Sequence, residues 1–317
     1  MTARILTVTL NPAIDVTYRI PALESGTTIP VTDVRTRAGG KGVNVASVVR
    51  RLGGDSLVLA LAGLAQPDEF RAGLEELGLP HRLVPACAAV RRTVAVVTDD
   101  GTTTNLQEAG TEVATGAEAE ITAVLRGELD AGAGAVVISG SVPPGLAAEV
   151  PARLVAVCAG YGVPVIADVS GAALRAVATA GAVLMPNRDE LAQLLGTLPR
   201  SGRDVAAAGR RLVAGGAAAV VATVGEDGVL AVTPAGAWSA RPVEVVTGNP
   251  TGAGDAAAAA LARHLAAAGS VSEVDWPAAL ADVVATSSAG VREPVAGEID
   301  VEARAGWLGA VTVKETE

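Results

Sequence analysis

A chain of 317 residues, half of them apolar, can bury a substantial core, and its net charge of −10 speaks against a nucleic-acid or anionic-membrane surface. A small anionic ligand is still allowed, because a few arginines, lysines and backbone N–H groups suffice to hold one. No stretch of about 18 apolar residues runs without a charge, so no membrane span is expected.

The first residues, "MTARILTVTLNPAID", lack a basic segment followed by an apolar one, so no secretory signal is expected. Cys87 and Cys158 fit neither a disulfide framework nor a metal site and read as small buried thiols.

Short β-branched runs alternate with helical segments along the chain. A strand is predicted over 4–10, a helix over 42–52, a strand over 56–63 and helices over 67–77 and 115–129. A strand at 135–140, a helix at 147–160, strands at 163–170 and 182–187 and helices at 187–195 and 203–214 follow. A strand over 217–225, another at 243–246 and helices over 253–268 and 276–290 complete the pattern. Most of these strands are apolar on both faces, as in a parallel sheet covered by helices. Gly53 and Gly78 stand where helix C-caps belong. The pattern implies an α/β fold, a doubly wound α/β/α sandwich.

Two stretches break the rhythm. Residues 14–38 alternate in "VTYRI" and "VTDVRTR", and residues 90–108 read as a hairpin turning at Asp100-Gly101. Neither has the continuous apolarity of a central strand, so together they predict a small half-exposed β-sheet lid on a single domain, 1–317. Such a lid has open edges that could pair with a second copy, and a homodimer is expected.

The stretch "TGNPTGAGDAAAAALARHL" (247–265) places Thr251-Gly252-Ala253-Gly254-Asp255 at the entry to a strong helix. The free N–H groups of the first turn form an anion cradle, and glycine lets a ligand approach the backbone. Asp255 would repel a resting phosphate, but it makes sense as a base for a hydroxyl attacking phosphorus. An acid placed for the helix dipole, with glycines that merely permit the turn, is the competing reading. A dinucleotide fingerprint, G-x-G-x-x-A, also matches, but at the wrong end of the chain and with an acid where pyrophosphate would sit. Gly40-Lys41 is followed by Gly42, so there is no Walker A loop.

Other segments suit the same chemistry. "AGGKGVNVA" (38–46) is a glycine turn with Lys41 and Asn44 at a helix start, where a lysine opposes the dipole unless an anion or sugar shares the site. Asp15 lies just beyond the first strand, at the sheet end where ligands bind. Ser139 and Ser141 close another strand in "SGSVPPG". Asn187 and Glu190 open a helix, where a capping box is also a sufficient explanation. Thr223 and Gly225 lie on a turn that a nucleotide or a plain hairpin would explain, and Arg91 and Arg92 stand at the lid edge.

In order, "TVTLNPAIDVT", "GGKGVNVA", "SGSVPPG", "PNRDEL", "VGEDG" and "NPTGAGDA" resemble the PfkB, ribokinase-like carbohydrate kinases, and specifically the 1-phosphofructokinase and tagatose-6-phosphate kinase group. The resemblance implies a ribokinase-like fold and an ATP- and Mg²⁺-dependent phosphosugar kinase acting on a ketohexose monophosphate in the cytoplasm. It makes Asp255 the catalytic base and the backbone of Gly252, Ala253 and Gly254 the anion hole. Asp15, Gly39, Gly40, Lys41 and Asn44 would hold the sugar. Arg92, with Lys41 and Ser139 or Ser141, would hold its phosphate. Asn187 and Glu190 would serve Mg²⁺, through water, and the ATP phosphates, while Thr223, Gly225 and Gly228 would lie along the nucleotide. The segment "ATVGEDG" departs from the family's "VTLG" wording, and Pro250-Thr251 replaces a more usual Thr-Val or Ser-Val. A kinase of an unphosphorylated sugar or nucleoside, and a silent sugar-phosphate sensor, are the rival readings.

Overall fold

The computed structural model describes residues 3–64 and 68–316, apart from the Glu226 side chain. In chain order the first half runs β1 (Arg4–Thr9), β2 (Ala13–Ile20), β3 (Asp33–Gly39), α1 (Lys41–Arg51), β4 (Ser56–Gly63), α2 (Glu69–Glu76), β5 (His81–Cys87), β6 (Arg91–Thr98), β7 (Thr103–Gln107) and α3 (Ala117–Asp130). It continues with β8 (Ala133–Gly140), α4 (Val150–Ala159), β9 (Val165–Val169), α5 (Gly171–Val177), β10 (Val183–Leu184), α6 (Arg188–Leu195), α7 (Gly202–Ala214) and β11 (Ala219–Thr223). The last part is β12 (Val229–Val232), β13 (Ala237–Ala240), α8 (Ala253–Ala268), α9 (Trp276–Val291), α10 (Val301–Leu308) and β14 (Val313–Glu315).

The main sheet has the order β14-β13-β12-β11-β10-β9-β8-β1-β4-β5. Pairing is parallel from β5 to β11, and β12, β13 and β14 are added antiparallel. Its central strands are buried on both faces, as their unbroken apolar runs require. Helices α3 to α7 cover one face, and α1, α8 and α9 the other.

Helix α8 explains the alanine run. Ala256 to Ala260 are completely buried between the sheet and its neighbours α1 and α9, where larger side chains would force the helices apart. Leu261 and Leu265 anchor the same helix without exposure, and truncating such a leucine to alanine costs about 2–5 kcal/mol.

The second sheet, β3-β2-β6-β7, is built from the two stretches that broke the rhythm, and Gly101 turns its β6–β7 hairpin at φ 84°. Side chains 14 and 16 of β2 pack against Phe70 and Leu74 of α2, while 15 and 17 face the other way, toward a cavity.

Three expectations change. Residues 243–246 form no strand: β14 takes the sheet edge beyond β13, and Val243 and Val245 lie exposed in a loop. The strand expected at 182–187 shrinks to Val183–Leu184, because Pro186 has no N–H to continue the ladder. The helix expected from 67 begins within the described residues at Glu69, capped by Asp68, and residue 67 lies outside them. No described helix is long and apolar enough to cross a membrane.

Candidate active site

The C-terminal ends of β1, β8, β9 and β11 converge on a cavity of about 350 Å³, walled on its other side by the lid residues Asp15, Arg91, Thr93, Asn105 and Gln107. In an open parallel sheet this is the end that receives ligands. A second cavity, about 1000 Å³, adjoins it and shares Thr223, Asn249, Gly254 and Pro294 with it.

Helix α8 starts between the two. Gly252 is its N-cap with φ 88°, a conformation that favours glycine, and no side chain caps the helix. Ala253 turns its N–H onto the Pro250 carbonyl (3.2 Å), so it is not the free donor that the motif suggested. The N–H groups of Gly254 and Asp255 have no acceptor among the described residues and stay available for an anion.

Asp255 is buried on the first turn of α8, and its Oδ2 accepts a hydrogen bond from Asn44 Nδ2 at 2.9 Å. Burial raises its pKa to about 7; Lys41 and the Asn44 bond oppose that rise, while Asp168 and Asp15 add to it. A carboxylate that titrates near neutrality suits a general base.

Lys41 opens α1 and donates to Asp168 Oδ1 at 2.9 Å. Burial alone would lower its pKa, but Asp168, Asp255 and Glu190 together hold the ammonium above the ordinary lysine value. Gly40 and Asn44 line the same cavity. Gly39 stands behind it, where any Cβ would overlap the Asp15 carboxylate. Asp15 accepts a short hydrogen bond from Thr93 Oγ1; burial raises its pKa, and Thr93, Arg37, the Gly40 N–H and Arg91 pull it back.

Ser141 reaches the cavity and accepts from Asn11 Nδ2 at 2.9 Å. Ser139 is not on the cavity wall: it is buried, and its hydroxyl has no partner among the described residues. Asn187 and Glu190 line the cavity and also form the capping box of α6, with both bonds at 2.9 Å. Burial raises the Glu190 pKa; the Asn187 N–H and Lys41 oppose this, and Asp168 adds to it. Thr223, Gly225, Gly228, Ala253 and Gly254 line the larger cavity.

Arg92 requires a correction. It points away from both cavities, half exposed, and pairs with Glu69 Oε2 at 2.7 Å. Arg91 is the cavity arginine, with Nε 3.3 Å from the Asn11 carbonyl and Nη1 2.8 Å from that of Glu108. The reason is strand parity: Arg91 shares a face with Thr93 and Ala95, and a shift of one residue moves a side chain to the opposite face.

Asp168 and Asn11 are among the cavity residues that the sequence left unmarked. Asp168 is a buried acid inside the apolar strand "VIADV", and an acid in such a run was the available signal. Asn11 is buried beyond β1 and bonds both Ser141 and the Ala109 carbonyl; it stands inside the motif "TVTLNPAIDVT", where only Asp15 drew a role.

A helix start with free N–H groups, a buried carboxyl raised to about 7 and a polar cavity beneath the second sheet thus lie together. A profile of the pfkB family carbohydrate kinases matches residues 8–301. A 1-phosphofructokinase from Xanthomonas campestris is 34% identical over 275 residues, covering 84% of this chain and 85% of that one. An ATP-dependent 6-phosphofructokinase isozyme 2 from Mycobacterium tuberculosis is 32% identical, over 81% and 76% of the two chains. Phosphofructokinase-2 from Escherichia coli, solved with substrates and products, superposes with a TM-score of 0.86 at 26% identity, over 97% of this chain and 99% of its own. The chain belongs to the pfkB family of carbohydrate kinases, phosphotransferases that act on a sugar hydroxyl.

Proposed function

We infer that the chain transfers the γ-phosphoryl group of ATP to a hydroxyl of a ketohexose monophosphate, giving a bisphosphate. The observation that carries this reading is the buried Asp255, titrating at about 7 directly on the anion-binding turn, with Arg91 and Lys41 in the same cavity. Asp255 takes the hydroxyl proton as the sugar oxygen attacks the γ-phosphorus, and ADP leaves. The Gly254 and Asp255 N–H groups stabilise the charge on the transferring group.

Asp15 and Asn44 orient the sugar hydroxyls, with Gly40 giving the backbone close approach. Arg91, with Asn11 and Ser141 beside it, binds the phosphate already on the substrate, in the place first expected of Arg92. Fructose 1-phosphate and fructose 6-phosphate are the acceptors that the names of the relatives favour, with tagatose 6-phosphate as the further candidate. The larger cavity, with Thr223, Gly225 and Gly228, takes the nucleotide.

Mg²⁺ fits the donor set. Glu190 offers a hard carboxylate oxygen whose partner oxygen is held by the Asn187 N–H, and Mg²⁺ needs only one or two carboxylates beside phosphates and water. Bound there through water, the ion would neutralise phosphate charge. The cytoplasm, which holds ATP and sugar phosphates, suits this reaction. Exposed β3, with Val34 and Leu106 open on the lid, supports a homodimer formed through the lid.

The test is ADP release with MgATP and fructose 1-phosphate, fructose 6-phosphate, tagatose 6-phosphate, fructose or ribose. Activity confined to phosphorylated ketoses is expected. Activity on free sugars alone would replace this reading with a plain sugar kinase, and binding without ADP release would indicate a sensor. Sedimentation at micromolar concentration tests the dimer, which a monomer alone would remove.

A further inference from the structure

Arg37 is a half-buried charge that the reaction above does not use. It lies on lid strand β3, paired in register with Asp15 on β2, and therefore shares the cavity-facing side of the lid. Its Nη1 donates to the Ala296 carbonyl at 2.7 Å, across the cleft from the lid. Its Nη2 is buried with no acceptor among the described residues. A charged donor left unmatched inside a protein is costly and calls for a reason.

The loop it holds backs the anion turn. A Cβ on Gly252 would lie 2.7 Å from the Ala296 Cβ, so the two backbones are in close packing. Gly297, at φ 80°, has no room for a side chain either: a Cβ there would meet Arg37 Nη2 at 3.0 Å and Asn44 Oδ1 at 3.1 Å. Arg37 thus touches the frame of Gly252 and Asn44, the latter bonded to Asp255, while its charge stands beside Asp15.

We propose that Arg37 is a positioning residue: its charge keeps the Asp15 carboxylate ready for the sugar, and its Nη1–H ties the lid to the loop behind the anion turn. The inference rests on Asp15 as a sugar-binding carboxylate. Three charged groups face Asp15: Arg37 from β3, Arg91 from β6 and, across the cavity, Asp255 from α8. Removing Arg37 leaves Asp15 easier to protonate, so the loss of sugar binding on acidification sets in at higher pH.

The experiment measures the KM for the sugar phosphate, the KM for ATP and kcat against pH in Arg37→Met, Arg37→Lys and Asp15→Asn. Arg37→Met is expected to raise the sugar KM about tenfold at neutral pH and to move its acid limb up by about one pH unit, the effect of a nearby arginine on a carboxyl. Arg37→Lys is expected to restore the limb. A purely structural arginine would instead give Met and Lys variants with one unmoved limb, and that result overturns the charge role. If Arg37→Met does not fold, Arg37→Gln removes the charge in the same test.

Gly297→Ala keeps the charge and disturbs the loop: kcat is expected to fall at least tenfold with the sugar-KM limb unmoved, and an unchanged kcat overturns the tie. Asp15→Asn should abolish the limb. If it leaves sugar binding intact, the reading of Asp15 fails, whereas a lost limb with Arg37→Met unmoved means that the Arg37 inference alone fails.

Discussion

Replacing Asn44 with alanine isolates what tunes the base. The Asn44 Nδ2–H donates to Asp255 Oδ2 at 2.9 Å inside a buried site, and this bond favours the ionised form against the dominant effect of burial. A hydrogen bond to a charged group is worth about 1.5–3 kcal/mol, and one pKa unit corresponds to about 1.4 kcal/mol. Asn44→Ala should therefore lift the Asp255 pKa from about 7 to roughly 8–9. The base works deprotonated, so the acid limb of kcat must move to higher pH. At pH 7 the variant should turn over about 5- to 50-fold more slowly, and it should recover most of the loss above about pH 9. The assay is ADP release at saturating MgATP and sugar phosphate across that range, which removes any effect of Asn44 on sugar KM. A uniform loss with the limb unmoved would refute the reasoning, because the bond would then not be tuning the base.

Three further outcomes follow from the same geometry. Arg91→Ala should raise KM for the sugar phosphate about 10- to 100-fold, the worth of a charge-assisted bond, while Arg92→Ala, which breaks only an exposed pair with Glu69, should stay within about twofold. Asp255→Asn should melt higher than the wild type at pH 8 in a thermal scan. The wild-type carboxyl ionises at about 7 folded but near 3.8 unfolded, so stability is lost as pH rises between these values, on the order of 4 kcal/mol, and the gap should narrow towards pH 5. Gly252→Ala forces a left-handed backbone onto a side chain, at about 1–2 kcal/mol, and crowds Ala296 at 2.7 Å; kcat should fall more than tenfold as the anion turn shifts.

The sequence makes Asp255, Lys41 and Asn44 legible because glycine turns entering helices leave a local mark that survives without tertiary information. The two sheets are legible for a similar reason: an apolar run on both faces and an alternating run belong to different environments. Arg91 and Arg92 are different. Adjacent residues on a strand differ only by parity, and parity is set by the pairing of β6 with β2 and β7, which no local pattern records. Asp168 and Asn11 reach the site from strands and a turn far apart in sequence, so their meaning appears only when the sheet order brings β1, β8 and β9 together. Residues 243–246 look like a strand by composition, yet the C-terminal β14 takes the edge that they would need.

The measurement that bears most directly on the central claim is the turnover of Asp255→Asn with MgATP and fructose phosphate, taken alongside its sugar affinity. The account predicts a loss of about 10²–10⁴ in kcat, the worth of a general base, with binding of the sugar phosphate retained. Turnover near that of the wild type would contradict it and remove Asp255 from the chemistry.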